Sequence, residues 1–168
     1  MKKLIAILMA AAMLLVVAGC GTDTPADTQG GSQSQEKSFS FTYKGTEITF
    51  KAPAEPIVAA LGEPHKYSES PSCAFEGLDK SYDYGSFYLE TYPENGKDFV
   101  YGWWFVDDLV ATEEGISIGS AQADVEKAYG AENYNGTNAF VIKKGVGALT
   151  IILENGVVNS IQYTLILD

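Results

Sequence analysis

The residues best suited to covalent chemistry in this sequence are Cys73 and His65, which lie eight residues apart in one long loop. A histidine that removes the thiol proton makes a cysteine nucleophilic. Catalysis would also require a residue that orients the histidine and donors that stabilise an oxyanion, and the sequence identifies neither. We instead interpret Cys73 as a buried, unreactive thiol beside a surface histidine. We therefore predict a protein that is not an enzyme, with a Cys73-dependent enzyme as the rival hypothesis.

The acidic residues offer little to a metal ion. Asp107 and Asp108 are adjacent, as are Glu113 and Glu114, and neither pair has the alternating spacing of a calcium-binding loop. One histidine and one free cysteine cannot complete a zinc site. We predict no metal and no cofactor, and we interpret these acids as solvated loop charges, with a loose calcium site as the alternative.

Aromatic residues between Tyr82 and Phe105 are the best candidate for a function without chemistry. Alternation along predicted strands assigns one set of side chains to the core: Leu89, Tyr101, Trp103 and Phe105. The opposite face carries the candidate binding residues Tyr88, Glu90, Tyr92 and Trp104. Exposed tyrosine and tryptophan are typical anchors of protein and carbohydrate contacts. The alternative is that the loop at 65–80, or packing between two halves of the chain, covers this face as a second core.

Short elements must position these residues. The stretch 115–130 predicts a strand, a turn and a helix, with Ser120 as the N-terminal cap and Gly130 in the left-handed position after the helix. An earlier helix of the same kind ends at Gly62. Aromatic residues that alternate with polar ones predict a hairpin over 39–50.

These elements recur along the chain. A shift of 68 residues places Ile48 on Ile116 and the first helix on the second, and a shift of 60 places the turn at Asn95 on the turn at Asn155. Both turns contain Asn-Gly, which favours the positive φ angles of hairpin turns. The recurrence predicts a duplicated unit.

We predict repeat 1 over 39–108 and repeat 2 over 109–168. The expected fold class is α+β, with two tandem β-α-β-β-β repeats whose short helices pack on one face of an antiparallel sheet, because a helix this short cannot enclose a core by itself.

The pattern resembles the tandem repeats of the β-lactamase-inhibitor-protein-like fold and the related small lipoproteins of the SmpA/OmlA group. Members carry a phrase of Ile, Gly, Val and Gly, which Ile116, Gly119, Val125 and Gly130 match. The resemblance covers 39–168. It implies a non-enzymatic protein that meets partners through the open face of its sheet, without implying inhibition of a β-lactamase.

The N-terminus predicts export and attachment to a membrane. Two lysines precede an apolar run over 4–17, which has the proportions of a signal peptide and is too short to span a bilayer comfortably. The run leads into Val-Ala-Gly before Cys20, which resembles the lipobox of bacterial lipoproteins. The resemblance implies a signal peptide over 1–19 and a mature N-terminus at Cys20 that carries diacylglycerol and palmitate. The alternative is an ordinary secretory signal followed by a chance cysteine.

Residues 20–38 are polar and rich in Thr, Gly, Ser and Gln, which predicts a flexible tether. After cleavage the chain keeps nine lysines against 22 acidic residues, a net charge of −13, and it has no arginine. Such a chain is poorly suited to nucleic acid. An anionic membrane surface would also repel it unless a lipid held it there.

The function we predict is that of a lipoprotein anchored to the cell membrane through Cys20, facing outside the cytoplasm of a bacterium with a single membrane. The folded part is predicted to be a non-catalytic binding module that uses the aromatic sheet face to contact an envelope protein or a glycan. An assembly or scaffolding lipoprotein of the envelope is the alternative.

Overall fold

The computed structural model describes residues 37–167, whose strands form two antiparallel sheets. The strands are β1 (Ser40–Tyr43), β2 (Thr46–Thr49), β3 (Lys66–Pro71), β4 (Leu78–Asp83), β5 (Phe87–Glu94), β6 (Lys97–Phe105), β7 (Ala139–Lys144), β8 (Gly147–Glu154) and β9 (Val157–Leu165). The helices are α1 (Ala54–Leu61) and α2 (Gln122–Tyr129), followed by a 3-10 turn at Ala131–Asn133. β1 and β2 form a separate hairpin, and the other seven strands form one sheet in the order β3-β4-β5-β6-β9-β8-β7.

The predicted α+β fold class is wrong. The structure is 48% strand and 15% helix, and its main feature is the antiparallel sheet of seven strands. The two predicted helices do form, but each has only eight residues. α1 buries Ala54 and Ile57, and α2 buries only Val125. Two helices of this size present too little apolar surface to cover seven strands.

The β1–β2 hairpin covers the centre of the sheet. The Phe41 ring lies 5.1 Å from that of Phe87, and the Phe50 ring stacks 4.7 Å from that of Trp103. Burial of a large apolar side chain stabilises a fold by about 1.5–3 kcal/mol. The hairpin predicted over 39–50 is confirmed, and it takes the covering role that the prediction gave to the helices.

The predicted order of elements within each repeat is also wrong. Residues 116–118 are not a strand, and four strands rather than three follow α1. The hairpin turns at Asn95 and Asn155 are confirmed, and both asparagines have positive φ. Strands β4–β5–β6 and β7–β8–β9 each run from one side of the sheet to its centre, where β6 pairs with β9. The division into two repeats at 108/109 stays a prediction.

The start of α2 differs from the sequence prediction as well. The residue before the helix is Ala121, whereas the Ser120 hydroxyl accepts a hydrogen bond of 3.0 Å from the backbone N–H of Ser117. Ser120 therefore closes a turn just before the helix. Gly130 follows the helix with φ of 87°, as predicted.

A β-bulge changes which residues share a face of the sheet. Glu90 pairs with Gly102, but Thr91 pairs with Val100, so the register passes over Tyr101. Val100 is fully buried. Tyr101, which we predicted in the core, is half-buried and reaches a pocket with the residues of the opposite face. We call this second face, which lies away from the β1–β2 hairpin, the outer face.

The predictions for the signal peptide over 1–19, for lipidation at Cys20 and for most of the tether fall outside the described residues. The last two residues of the predicted tether are described, and the Ser38 hydroxyl donates a hydrogen bond of 3.0 Å to the Lys144 carbonyl oxygen. Within residues 37–167, no helix has both the length and the apolar character to cross a membrane.

The substitution Phe50→Ala is expected to lower the free energy of unfolding by about 3–5 kcal/mol, because removal of a buried aromatic ring leaves a cavity over Trp103. Urea denaturation would measure the change. Leu109→Ala serves as the control, since that side chain is 80% exposed, and its effect should stay within about 0.5 kcal/mol. Equal effects of the two substitutions would contradict the covering role of the hairpin.

Candidate functional site

The outer face carries a pocket of about 240 Å³. Strands β4, β5 and β6 supply one part of its lining, and the loop that joins β3 to β4, here called loop 72–77, supplies another. The residues that line it are Ser72, Cys73, Ala74, Phe75, Asp79, Glu90, Thr91, Tyr92, Tyr101, Trp104 and Leu167. The pocket therefore brings three of the four predicted binding residues together with the one cysteine of the described chain.

Loop 72–77 folds back onto the sheet. The Ser72 hydroxyl accepts hydrogen bonds from the backbone N–H groups of Ala74 at 3.3 Å and Phe75 at 3.2 Å. The Ser72 N–H donates to the carbonyl oxygen of Gly77 at 3.0 Å, which closes the loop. This geometry places the Phe75 ring 4.5 Å from the ring of Tyr92.

Both interpretations of the aromatic face apply, each to a different part of it. Tyr92 is only 4% exposed because loop 72–77 covers it, as the alternative interpretation held. Trp104 remains 38% exposed. Tyr88 and Glu90 are half-buried, and Tyr88 lies outside the pocket lining. The accessible part of the predicted binding surface is thus centred on Trp104 and Glu90.

Two carboxylates line the pocket, and both lie on the outer face. Glu90 pairs with Ser81 across β5 and β4, and the Ser81 hydroxyl donates a hydrogen bond of 2.7 Å to Glu90 Oε1. Burial raises the pKa of the Glu90 carboxyl above its ordinary value; the hydrogen bond from Ser81 opposes this rise, and the charge of Asp79 adds to it. Asp79 Oδ1 is buried and has no hydrogen-bond partner among the described residues.

No lysine balances these charges in the described part of the lining. Lys80, the residue after Asp79, lies on the other face of β4, and its ammonium group is 2.7 Å from Asp98 Oδ2. Lys51 lines a neighbouring groove, where Glu94 also lies. The pocket is therefore a negatively charged site with aromatic walls.

The structure separates Cys73 from His65. His65 precedes β3 and Cys73 follows it, so the six extended residues of β3 hold them about 20 Å apart. The His65 ring lies against Gly85, where an added Cβ would be 2.9 Å from the histidine Cε1. Cys73 is exposed, so our interpretation of it as a buried thiol is wrong. A thiol and its histidine base are not brought together in this fold.

The acidic pairs at 107–108 and 113–114 lie in the connection between β6 and α2. Asp107 Oδ1 accepts a hydrogen bond of 2.9 Å from the backbone N–H of Leu109. Glu114 Oε2 accepts a hydrogen bond of 2.5 Å from the Tyr129 hydroxyl. Within residues 37–167, no three His, Cys, Asp or Glu side chains are grouped so that they could hold a metal ion. Asp107 and Glu114 therefore act as local hydrogen-bond acceptors in the connection.

The sequence pattern did not identify Phe75, Asp79 or Tyr101 as site residues. Phe75 reaches the pocket because loop 72–77 folds onto the sheet. In the sequence prediction, such folding was only an alternative, and it concerned the whole segment 65–80. Tyr101 reaches it through the β-bulge, which shifts the alternation by one residue. Asp79 belongs to β4, and no sequence pattern indicated that this strand pairs with β5.

Comparisons of the chain with protein-family models, with curated proteins and with solved structures gave no match.

A maleimide reagent is expected to modify Cys73 in the native protein about as fast as in denaturant, because the side chain is exposed. Peptide mapping of the labelled full chain would locate the modified cysteine. His65→Ala should change the labelling rate by less than about twofold, since the imidazole is too distant to activate the thiol. Labelling that requires denaturant, or that falls tenfold in His65→Ala, would contradict this geometry.

Glu90→Gln is expected to stabilise the protein at neutral pH. Because the folded-state pKa of Glu90 is raised above 4.5, the folded protein binds this proton more tightly than the unfolded chain. Ionised Glu90 thus lowers stability above the folded-state pKa, and this loss disappears as the pH falls below 4.5. Glutamine carries no charge and can still accept the hydrogen bond from Ser81.

Urea denaturation across pH 4–8 would measure this difference. The midpoint of Glu90→Gln should exceed that of the native sequence at neutral pH and approach it at the acidic end. Glu94→Gln is the control at an exposed position of the same strand. A destabilised Glu90→Gln at neutral pH would show that ionised Glu90 is favourably paired in the fold.

Proposed function

We propose that this chain is a bacterial lipoprotein, anchored to the cell membrane through Cys20, whose folded part is a non-catalytic binding module outside the cytoplasm. The observation that carries the binding role is the outer-face pocket, where Glu90, Tyr92 and Trp104 meet loop 72–77. The membrane attachment is supported by the lipobox resemblance. A lipid with two acyl chains would hold the chain stably despite its negative charge.

The composition of the pocket favours binding over turnover. Four aromatic side chains line it, and its polar groups include two carboxylates and a thiol. Nucleophilic catalysis by Cys73 would require a base within hydrogen-bond reach. The single histidine lies at the far end of β3. The Cys73-dependent enzyme that the sequence allowed therefore has no geometric support at this site.

The proposal does not rest on the β-lactamase-inhibitor-like resemblance, because the layer of helices on a sheet that came with it is absent from the described residues. From that resemblance we retain only the expectation that an open sheet face contacts the partner. That face is accessible at Trp104, which is 38% exposed beside the pocket. An envelope protein or a glycan that presents a small group to this pocket is the partner we propose.

A photoreactive amino acid at position 104, introduced into the full-length protein on intact cells, is expected to capture a discrete partner. Position 127 provides the matched control, since Lys127 is exposed on α2, away from the pocket. The cross-linked products would be compared by gel mobility and identified by mass spectrometry.

A product formed only from position 104 would support the binding module. Equal products from both positions, or none from either, would contradict the outer-face site. The alternative of an assembly lipoprotein predicts a different result, a complex that survives detergent extraction without any cross-linker.

A further inference from the structure

We infer that the outer-face pocket binds a small organic cation, in which an alkylammonium group lies between the aromatic walls and the carboxylates of Glu90 and Asp79. This inference rests on the proposed binding function and specifies the class of ligand. The size of the pocket, about 240 Å³, is below the usual range for drug-sized ligands, so it suits a single small group.

The charges of the lining select for a cation. Glu90 and Asp79 both line the pocket, and no residue of the described lining carries a positive charge. An anion would be repelled by both carboxylates. A cation would offset the repulsion between them.

The aromatic walls select for an organic cation over a metal ion. Four aromatic side chains line the pocket: Phe75, Tyr92, Tyr101 and Trp104. The faces of aromatic rings attract ammonium groups, most strongly where water is excluded, and methyl groups on the nitrogen add apolar contact. A divalent metal ion would instead require several oxygen ligands in place of these rings. The combination of rings and carboxylates is typical of sites for alkylated ammonium ions.

Loop 72–77 holds the aromatic wall in place before a ligand arrives. The two hydrogen bonds to the Ser72 hydroxyl fix the turn, and the Phe75 ring packs 4.5 Å from Tyr92. On the opposite side, Ser81 fixes the carboxylate of Glu90 through a hydrogen bond of 2.7 Å. A site preorganised in this way loses little conformational entropy when the ligand binds.

The test uses the full-length protein in a nonionic detergent and titrates it with choline while following binding by calorimetry. The matched ligand is 3,3-dimethylbutan-1-ol, which has the shape of choline but a carbon in place of the charged nitrogen. Saturable binding of choline, at least about tenfold tighter than that of the neutral alcohol, is expected because only the cation interacts with the carboxylates.

Variants locate the binding site. Glu90→Gln is expected to weaken choline binding at least about tenfold while it preserves the hydrogen bond to Ser81, and Trp104→Ala is expected to weaken it as well. Glu94→Gln removes one negative charge from an exposed position of the same strand and should leave the affinity within about twofold. Thermal unfolding of each variant confirms that it is folded.

Equal affinity for choline and the neutral alcohol, or equal losses in Glu90→Gln and Glu94→Gln, would overturn the inference. The absence of choline binding would also overturn it, and a partner still captured through position 104 would then leave the proposed binding function standing. Binding of N-acetylglucosamine in place of choline, with loss in Trp104→Ala, would assign the pocket to a neutral sugar instead.

Discussion

The packing of Trp103 at the centre of the sheet joins the covering hairpin to both halves of the sheet. Its ring stacks 4.7 Å from Phe50 of the covering hairpin and 4.9 Å from Tyr163 of β9. Trp103 and Tyr163 are also direct partners across β6 and β9, where the two halves of the sheet meet. This contact requires Gly102 beside it, because a Cβ there would lie 2.0 Å from the Tyr163 carbonyl oxygen.

The direction of Trp103 sets the direction of its neighbours. Since successive side chains of a strand point to opposite faces, a buried Trp103 places Trp104 on the outer face. The bulge then adds Tyr101 to that face, and the pairing of β4 with β5 brings Ser81 beside Glu90. One face of the sheet thus stabilises the fold, while the other bears aromatic and acidic groups, of which Trp104 remains 38% exposed. Because burial raises the pKa of Glu90, its ionised carboxylate lowers the stability of the fold, as is common where binding groups are concentrated.

The sequence predicted the local features of this fold and failed on the non-local ones. The turn at Asn95, the glycine that ends α2 and the alternation over 39–50 are local signals, and each was confirmed. Strand order, the bulge at Tyr101 and the covering role of the hairpin depend on contacts between distant segments. The error in fold class has the same cause. The sequence did not show that the β1–β2 hairpin, rather than the helices, covers the centre of the sheet.

At the candidate site, too, the local features were predictable from the sequence and the non-local ones were not. Alternation placed Trp104 and Glu90 on one face, and the structure keeps them together there. The same alternation could not reveal that loop 72–77 would bury Tyr92, or that Cys73 would be brought to this face and separated from His65. The resulting combination of a small pocket, aromatic walls and two carboxylates is a property of the folded chain.

Labelling with 5-fluorotryptophan and ¹⁹F NMR would compare the exposure of the two sheet faces directly, because the label gives one resonance for each of the two tryptophans. Substitution of each tryptophan by phenylalanine would assign them. We expect a solvent isotope shift between H₂O and D₂O for Trp104 and none for Trp103, because only the outer face is open to water. Similar shifts for both residues would contradict a sheet with one buried and one accessible face.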